Sequence, residues 1–438
     1  MRTIYHITPL VFLVACGPPP KPQIGPPKPT AKRPEAKVKL VMEPIRLQVK
    51  KGPQGAEPSV EVFDAGTLFE RGGQLLSAKK YGKAITTYNR LLASFPESRY
   101  VSPALYNAGL CHEWRGEFGK AAGQYKELIR RFGRTKEAVD AGFRLGGCYA
   151  ELQNWAASAQ VFQVLLSRKD LSASDRIECY ARKGLAHFRM GDHRACKSTL
   201  EAAIKYNRSI EAVERLDSDF FLAMAHYYIA AIPHLEFRKR ELRAKSRSTQ
   251  LAKTLDEKAR LLILSQAGYI KTIKVKNPYW ASASGFQIGS LYREFYTALL
   301  TALPDFTRQA KRNARLAKVS VEEARKQLVQ VYMEEVHKAV KPLLNKAIRV
   351  FEKNVEMAER VGVRSNWVAK SRRQIQDLKH LLSVSPKEAV ELVRKEKLVP
   401  EDQPARESGP KPPSTPPSTP TVPQPPKESP DEPGRVVL

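Results

Sequence analysis

The sequence predicts an all-α protein, a solenoid of stacked helix pairs with disordered, proline-rich segments at both ends. Three observations lead to it. Aromatic, small and aromatic residues recur at a spacing of 37 residues, as Tyr81, Ala84 and Tyr88, then Phe118, Ala121 and Tyr125, then Trp155, Ser158 and Phe162. Upstream of each triplet stands a glycine at the same spacing, Gly72, Gly109 and Gly146, and a fourth copy follows with Gly184, His193, Cys196 and Leu200. A period of this size marks stacked helix pairs, in which small residues let the two helices cross closely. Flanking the repeats, residues 17 to about 60 are rich in Pro, Lys and Gly, and residues 400–438 in Pro, Ser and Thr. Neither composition buries enough apolar surface to fold.

The first element is a basic, apolar, then small-residue stretch: Met1-Arg2, an apolar run through Val14, and Ala15-Cys16-Gly17. That order is the layout of a secretory signal. It is shorter than the about 20 apolar residues a membrane span needs, and His6 and Pro9 weaken it further. Leu13-Val14-Ala15-Cys16 resembles the lipobox of bacterial lipoproteins. The resemblance implies cleavage before Cys16, lipid on Cys16 as the first mature residue, and a protein anchored in the cell envelope. Gly17, where some inner-membrane-retained lipoproteins carry Asp, leans toward the outer membrane, facing the periplasm. An ordinary signal, or an intracellular N-terminus that happens to be apolar, remains the alternative.

The expected organisation is a signal peptide over 1–15, a tether over 16–60, four repeats over 61–210 and two interrupted helix pairs over 211–383. A short helix and a tail over 384–438 complete it. The fifth pair takes Leu222–Ile232 as first helix and Ser265 with Tyr269 on the second, closed by Asn277-Pro278. A charged insert, residues 236–260, lies between them. The sixth takes Ile288, Gly289 and Tyr292 on its first helix and Ala347 and Phe351 on its second. Its insert holds another helix, begun by a capping box from Ser320 to Glu323, and Pro342 is placed to start the next. An amphipathic helix near Trp367–Leu382 caps the apolar end.

Leu145-Gly146 with Tyr149, and Ala84, Tyr88, Leu91 and Pro96, resemble the tetratricopeptide repeat on its first and second helices. The resemblance implies a right-handed solenoid of tetratricopeptide-like helix pairs, a fold that binds protein partners. The longer connection, "SFPESRYVSPALYNAG" at 94–109, is similar to repeats of bacterial envelope proteins such as the barrel-assembly lipoprotein and the cell-division coordinator. The C-terminal half, in "NPYWASASGFQIGSLYREFYTALL" and "NKAIRVFEKNVEMAERVGVRSNW", resembles repeat lipoproteins of myxobacteria, some associated with adventurous gliding motility.

No enzyme motif accompanies these repeats: there is no phosphate-binding glycine loop, no His-Glu-x-x-His and no nucleophile elbow. The chain therefore reads as a non-enzyme with no cofactor. Cys111 and Cys148 hold the same place in neighbouring repeats, where first helices about 8–10 Å apart exceed disulfide reach. Cys179 and Cys196 fall at opposite ends of an antiparallel pair. Four buried, unpaired thiols are favoured over a disulfide, and a metal site is not expected, because no two-residue cysteine pairs appear and His193 with Cys196 is a lone match. His112, His187 and His226 fall at or beside core-facing helix positions, where packing is the commoner role.

Partner binding is the activity this architecture offers. Carried over from the repeat family, the concave positions here are Phe69, Tyr106, Leu110, Glu113, Phe143, Phe188 and Arg189, although several of them would equally serve packing between repeats. Asn107 and Arg144 match two positions of the family's carboxylate clamp, while Phe69, Gly73 and Asp140 stand where its other members should be, which puts the clamp in doubt. A net charge of +29 adds the expectation of an anionic partner. A basic surface over Arg238, Lys239, Arg240, Arg243, Lys245 and Arg247 would meet anionic headgroups or cell-wall polymer, unless it is simply a solvated helical face. Nucleic acid fits less well, because an exported chain would not meet it. The resulting expectation is a membrane-anchored scaffold that recruits protein into an envelope complex for gliding motility, secretion or outer-membrane assembly. A cell-wall or division coordinator binding anionic polymer, or an intracellular basic adaptor if the signal is a false match, are the alternatives.

Overall fold

Each helix packs chiefly on its neighbours in sequence, as expected of stacked helix pairs. The computed structural model describes residues 44–50, 59–242, 248–302 and 304–396. Four helix pairs come first: α1 (Ala65–Ser77) with α2 (Tyr81–Ser94), α3 (Val101–Trp114) with α4 (Phe118–Phe132), α5 (Lys136–Glu151) with α6 (Trp155–Leu166), and α7 (Ala173–Arg189) with α8 (His193–Ile210). A fifth pair follows, α9 (Phe220–Lys239) with α10 (Ser248–Lys274). In the sixth, α11 (Pro278–Thr301) packs on the long α13 (Val321–Val361), with α12 (Thr307–Ala317) between them in sequence. The end is closed by α14 (Asn366–Ser383) and α15 (Pro386–Glu396), at the places expected for the capping helix and the short helix after it.

The glycines do what their spacing implies. A Cβ added at Gly72 would lie 2.5 Å from the Tyr88 ring, at Gly109 2.6 Å from Tyr125, and at Gly146 2.5 Å from Phe162. Gly184 against Leu200 and Gly289 against Phe351 repeat the crossing. Each aromatic or leucine of the second helix thus lies where a first-helix side chain would otherwise stand, and Tyr88, Tyr125 and Leu200 are wholly buried by it. Several helix starts are fixed by local chemistry. Asp64 accepts from the Thr67 amide at 2.7 Å, Ser172 from Asp175 at 3.1 Å, and Asn277 from Trp280 at 3.2 Å with Pro278 behind it.

First helices form the inner layer. α1 packs on α3, α3 on α5 and α7 on α9, whereas no two second helices approach each other to a comparable degree. The side where axes converge is the concave one, so the inner surface belongs to α1, α3, α5, α7 and α9.

Two expectations change. The tether boundary at residue 60 is displaced, because β1 (Arg46–Lys50) and β2 (Ser59–Phe63) pair antiparallel, with Leu47 opposite Val62 and Val49 opposite Val60. The hairpin docks by the face that carries Gln48, Glu61 and Phe63: Arg90 on α2 binds Gln48 at 2.6 Å and Glu61 at 3.2 Å and lies 3.8 Å over the ring of Phe63, which is buried edge-on to Phe95. The apolar face, Ile45, Leu47, Val49, Val60 and Val62, is 59–71 % exposed. Pro342 starts no helix; it lies inside α13, which runs unbroken for 41 residues. An interior proline costs about 3 kcal/mol. The continuous stripe of Met333, Val340, Leu344, Ala347, Ile348 and Phe351, packed in the core beside α11, offsets it. Ser320 caps this helix as expected, accepting from the Glu323 amide at 3.0 Å.

Cys16, the signal, and most of both proline-rich segments lie outside the described residues. Cys111, Cys148, Cys179 and Cys196 are buried free thiols. Burial pushes Cys111, Cys148 and Cys196 up to about 12, which removes them from thiolate chemistry.

Candidate functional site

The inner surface is built from the positions where consecutive first helices face the same side. Most of the apolar residues expected to contact a partner form the floor of this surface instead. Phe69, Leu110 and Phe188 are each only 3 % exposed. Phe69 stacks on Tyr100 at 5.2 Å and Phe188 meets Tyr228 edge-on at 5.0 Å, so their rings are consumed in packing between repeats. Phe143, half-buried, leans on Phe162 at 6.2 Å, and Tyr106 meets Tyr125 edge-on at 5.8 Å. The Arg189 guanidinium lies 5.6 Å from the Trp155 ring centroid.

Above this floor runs a line of partly exposed charge. Glu113 accepts from the Tyr125 hydroxyl at 2.6 Å and from Arg144 at 3.4 Å, joining α3, α4 and α5. Arg144 also opposes the upward shift that burial gives the Tyr106 hydroxyl. On α7, Arg182 binds Glu178 at 2.5 Å. Asp140 has its carboxyl raised by burial, then by Asp175 and Glu137, with Arg144 opposing. Glu178 is raised mainly by burial, against the pull of Arg182. Glu178 is thus partly shielded from water whereas Asp140 stays exposed, and a partner's donor would favour the charged form of both. Asp140 and Glu178 are 38 residues apart, as are Arg144 and Arg182. The period that places the glycines also places these four charges, a signal the aromatic positions do not carry.

The clamp reading fails on geometry. Asn107 is buried and donates to the Tyr88 hydroxyl at 3.3 Å, while Arg144 is engaged with Glu113. Neither is left to grip a carboxylate.

Of the basic insert, Lys239 and Arg240 are exposed, while one residue expected on that surface is drawn into the core. Arg238 turns inward, giving Glu294 paired bonds at 3.1 and 2.5 Å through Nε and Nη2. His234, wholly buried, reaches the same carboxylate at 3.2 Å and Tyr269 at 3.1 Å. Burial alone would raise Glu294, yet His234 and Arg238 hold it far below the usual carboxylate range. Lys239 pairs with Glu236 at 3.0 Å and Arg240 with Glu257 at 3.6 Å. Lys258 is buried and donates to the carbonyls of Phe237 and Arg240, closing the end of α9. Arg243, Lys245 and Arg247 lie outside the described residues.

Among the described residues, no three or more His, Cys, Asp or Glu are grouped to hold a metal ion, and no helix is long and apolar enough to cross a membrane.

Residues 64–98 and 106–175 match two family models, each described as tetratricopeptide repeat. No curated protein matches the chain. Solved structures similar to it include the C-terminal part of a TPR repeat-containing protein from Cytophaga hutchinsonii, 13 % identical, covering 74 % of this chain and 98 % of that one at a TM-score of 0.34. A tetratricopeptide repeat protein from Parabacteroides merdae is 12 % identical, covering 71 % and 98 % at 0.33. The pilF protein of Pseudomonas aeruginosa is 16 % identical, covering 52 % and 92 % at 0.30. The repeat assignment stands on the family matches and on the recurring glycine-to-ring crossings. The described chain is an all-α solenoid of tetratricopeptide-like helix pairs, with tetratricopeptide repeats in its N-terminal half.

Proposed function

We propose that the chain is a non-enzymatic scaffold, anchored by lipid on Cys16, that holds a protein partner on its inner surface within a bacterial envelope complex serving gliding motility, secretion or outer-membrane assembly. The observation that carries the binding role is the line Glu113, Asp140, Arg144, Glu178 and Arg182. Asp140 and Arg144 recur one repeat later as Glu178 and Arg182 on the inner layer, Glu113 bonds Arg144, and the line stands over a floor already closed by Phe69, Leu110 and Phe188. A partner segment with alternating charge, extended or helical, satisfies both the acids and the arginines. A purely apolar peptide would cover Asp140 and the Glu113–Arg144 and Glu178–Arg182 pairs without giving any of them a new partner. The anchor and the envelope setting are supported by the lipobox resemblance alone.

The test is crosslinking in intact cells expressing the tagged chain, its Cys16→Ala variant and an Arg144→Glu/Arg182→Glu variant, with recovery under denaturing conditions. The expected result is capture of envelope proteins by the parent chain, loss of envelope capture without Cys16, and loss of the groove-bound subset on charge reversal. Capture of ribosomal proteins or RNA equally by all three would reject the anchored scaffold.

A further inference from the structure

Residues 306–321 contain five basic side chains, Arg308, Lys311, Arg312, Arg315 and Lys318, and no acidic one. Four of them, at i, i+3, i+4 and i+7 on α12, line one open groove of about 390 Å³ together with Leu316. All four are exposed, and none makes an ion pair or hydrogen bond with a described residue. This distinguishes them from Arg238, Lys239 and Arg240, each already matched to a carboxylate. The opposite face of α12 is pinned: Ala310 and Ala314 are buried where the helix packs on α13, so the cations are held outward on a fixed element.

The end of this helix supplies the second half of the argument. Lys318 adopts a left-handed conformation, φ 55°, that turns the chain sharply. Around that turn Leu316 is 75 % exposed, Val319 37 % and Val321 46 %. A stripe of unneutralised cations with apolar side chains at one tip is the arrangement that suits a bilayer surface. Phosphates of anionic lipids meet the guanidinium and ammonium groups while the apolar tip enters the headgroup boundary. A soluble polyanion would match the charges but give nothing for burying Leu316.

From this we infer that α12 and the turn after it dock the scaffold against an anionic phospholipid surface. The contact is separate from any lipid on Cys16 and from partner binding by the inner layer.

The test uses the full chain carrying Cys16→Ala, so that acylation plays no part and its outcome leaves the anchored-scaffold reading untouched. Co-sedimentation is measured with vesicles of phosphatidylcholine alone and with vesicles about one-third phosphatidylglycerol, after circular dichroism has shown each variant helical. Binding to the anionic vesicles is expected to fall about 25-fold for Arg312→Gln/Arg315→Gln, at about fivefold per cation. Removing the same charge from exposed positions of α8, by Arg194→Gln/Lys205→Gln, is expected to cost no more than about twofold. Leu316→Ser, which leaves charge unchanged, is expected to cost about fivefold. Equal losses for the two double variants would overturn the proposal by assigning binding to net charge. So would an unchanged Leu316→Ser variant together with equally tight binding to an RNA oligonucleotide, which would make the helix a site for soluble polyanion.

Discussion

On α9, His226 is held neutral in the folded chain. Burial, then Lys271 and Arg208, lower it from 6.5 to about 4. The unfolded chain keeps a proton that the folded chain gives up, so this side chain's share of stability is complete above about pH 6.5 and is lost as pH falls toward 4. Since the ring is only half-buried, screening reduces that share to about 1–2 kcal/mol. His187 and His337 are lowered by burial and neighbouring lysines in the same sense. Urea unfolding is therefore expected to show lower stability at about pH 4.5 than at about pH 7, with His226→Gln reducing but not abolishing the difference. A variant as pH-sensitive as the parent would assign the effect elsewhere. The packing role of His226 follows from its place on an apolar helix face, and that much is legible in the sequence. Arg238 was not legible in this way. A charge run reports composition but not direction, and the carboxylate that turns Arg238 inward, Glu294, is 56 residues later on another helix.

At the scale of elements, the turns inside the first four pairs carry a hidden repeat. Lys79, Gly116, Gln153 and Gly191 occupy equivalent places and all have positive φ, 57°, 72°, 57° and 79°. Glycine takes this conformation freely, whereas a side chain costs about 1–2 kcal/mol there. Part of the relief is returned through the greater freedom of glycine in the unfolded chain. Lys79→Gly and Gln153→Gly are each expected to stabilise by about 0.5–1 kcal/mol in chemical denaturation, while Gly116→Lys destabilises by at least as much; destabilisation by the first two would mean their side chains hold the turns. Helix pairs were readable because the ring-to-glycine crossing needs particular residues at particular places. The hairpin's signal was present as alternation, Ile45, Leu47, Val49 and then Val60, Val62, but proline and lysine on either side masked it. Its inward face is mixed, with Gln48 and Glu61 meeting Arg90 and Phe63 buried on Phe95, while the valines and leucine face outward. Pro342 sits inside α13 because the apolar stripe spanning both sides of it outweighs the local preference of proline for a helix start.

Over the whole molecule, a solenoid's stability is a chain of neighbour-to-neighbour terms, and it is weakest where the buried apolar surface thins. Here one cluster extends from Phe63 to Cys148 and another from Ala181 to Val393. Between them stands a small cluster of Phe162, Leu165, Leu171 and Cys179. The inner layer is also sparse there, since α5 and α7 do not pack as α3 does on α5 or α7 on α9. The period seen in the sequence predicts repeated pairs but not this seam, because the fourth pair replaces the second-helix ring with Leu200 and the larger aromatic packing begins only at α9. The seam implies two cooperative blocks. Tryptophan reports them separately from helix content: Trp280 and Trp367 are buried in the C-terminal block, whereas Trp114 is 65 % exposed. Urea unfolding followed by fluorescence and by far-ultraviolet circular dichroism is therefore expected to give transitions that do not coincide. Phe162, 1 % exposed beneath Gly146 and 5.9 Å from the Arg182 guanidinium, is the ring that ties the blocks. Truncating it to alanine is expected to cost about 3 kcal/mol and to widen the gap between the two transitions. Coincident transitions in parent and variant would mean that α6 couples the halves through its backbone packing alone, and that the partner-binding layer spanning the seam behaves as one rigid surface.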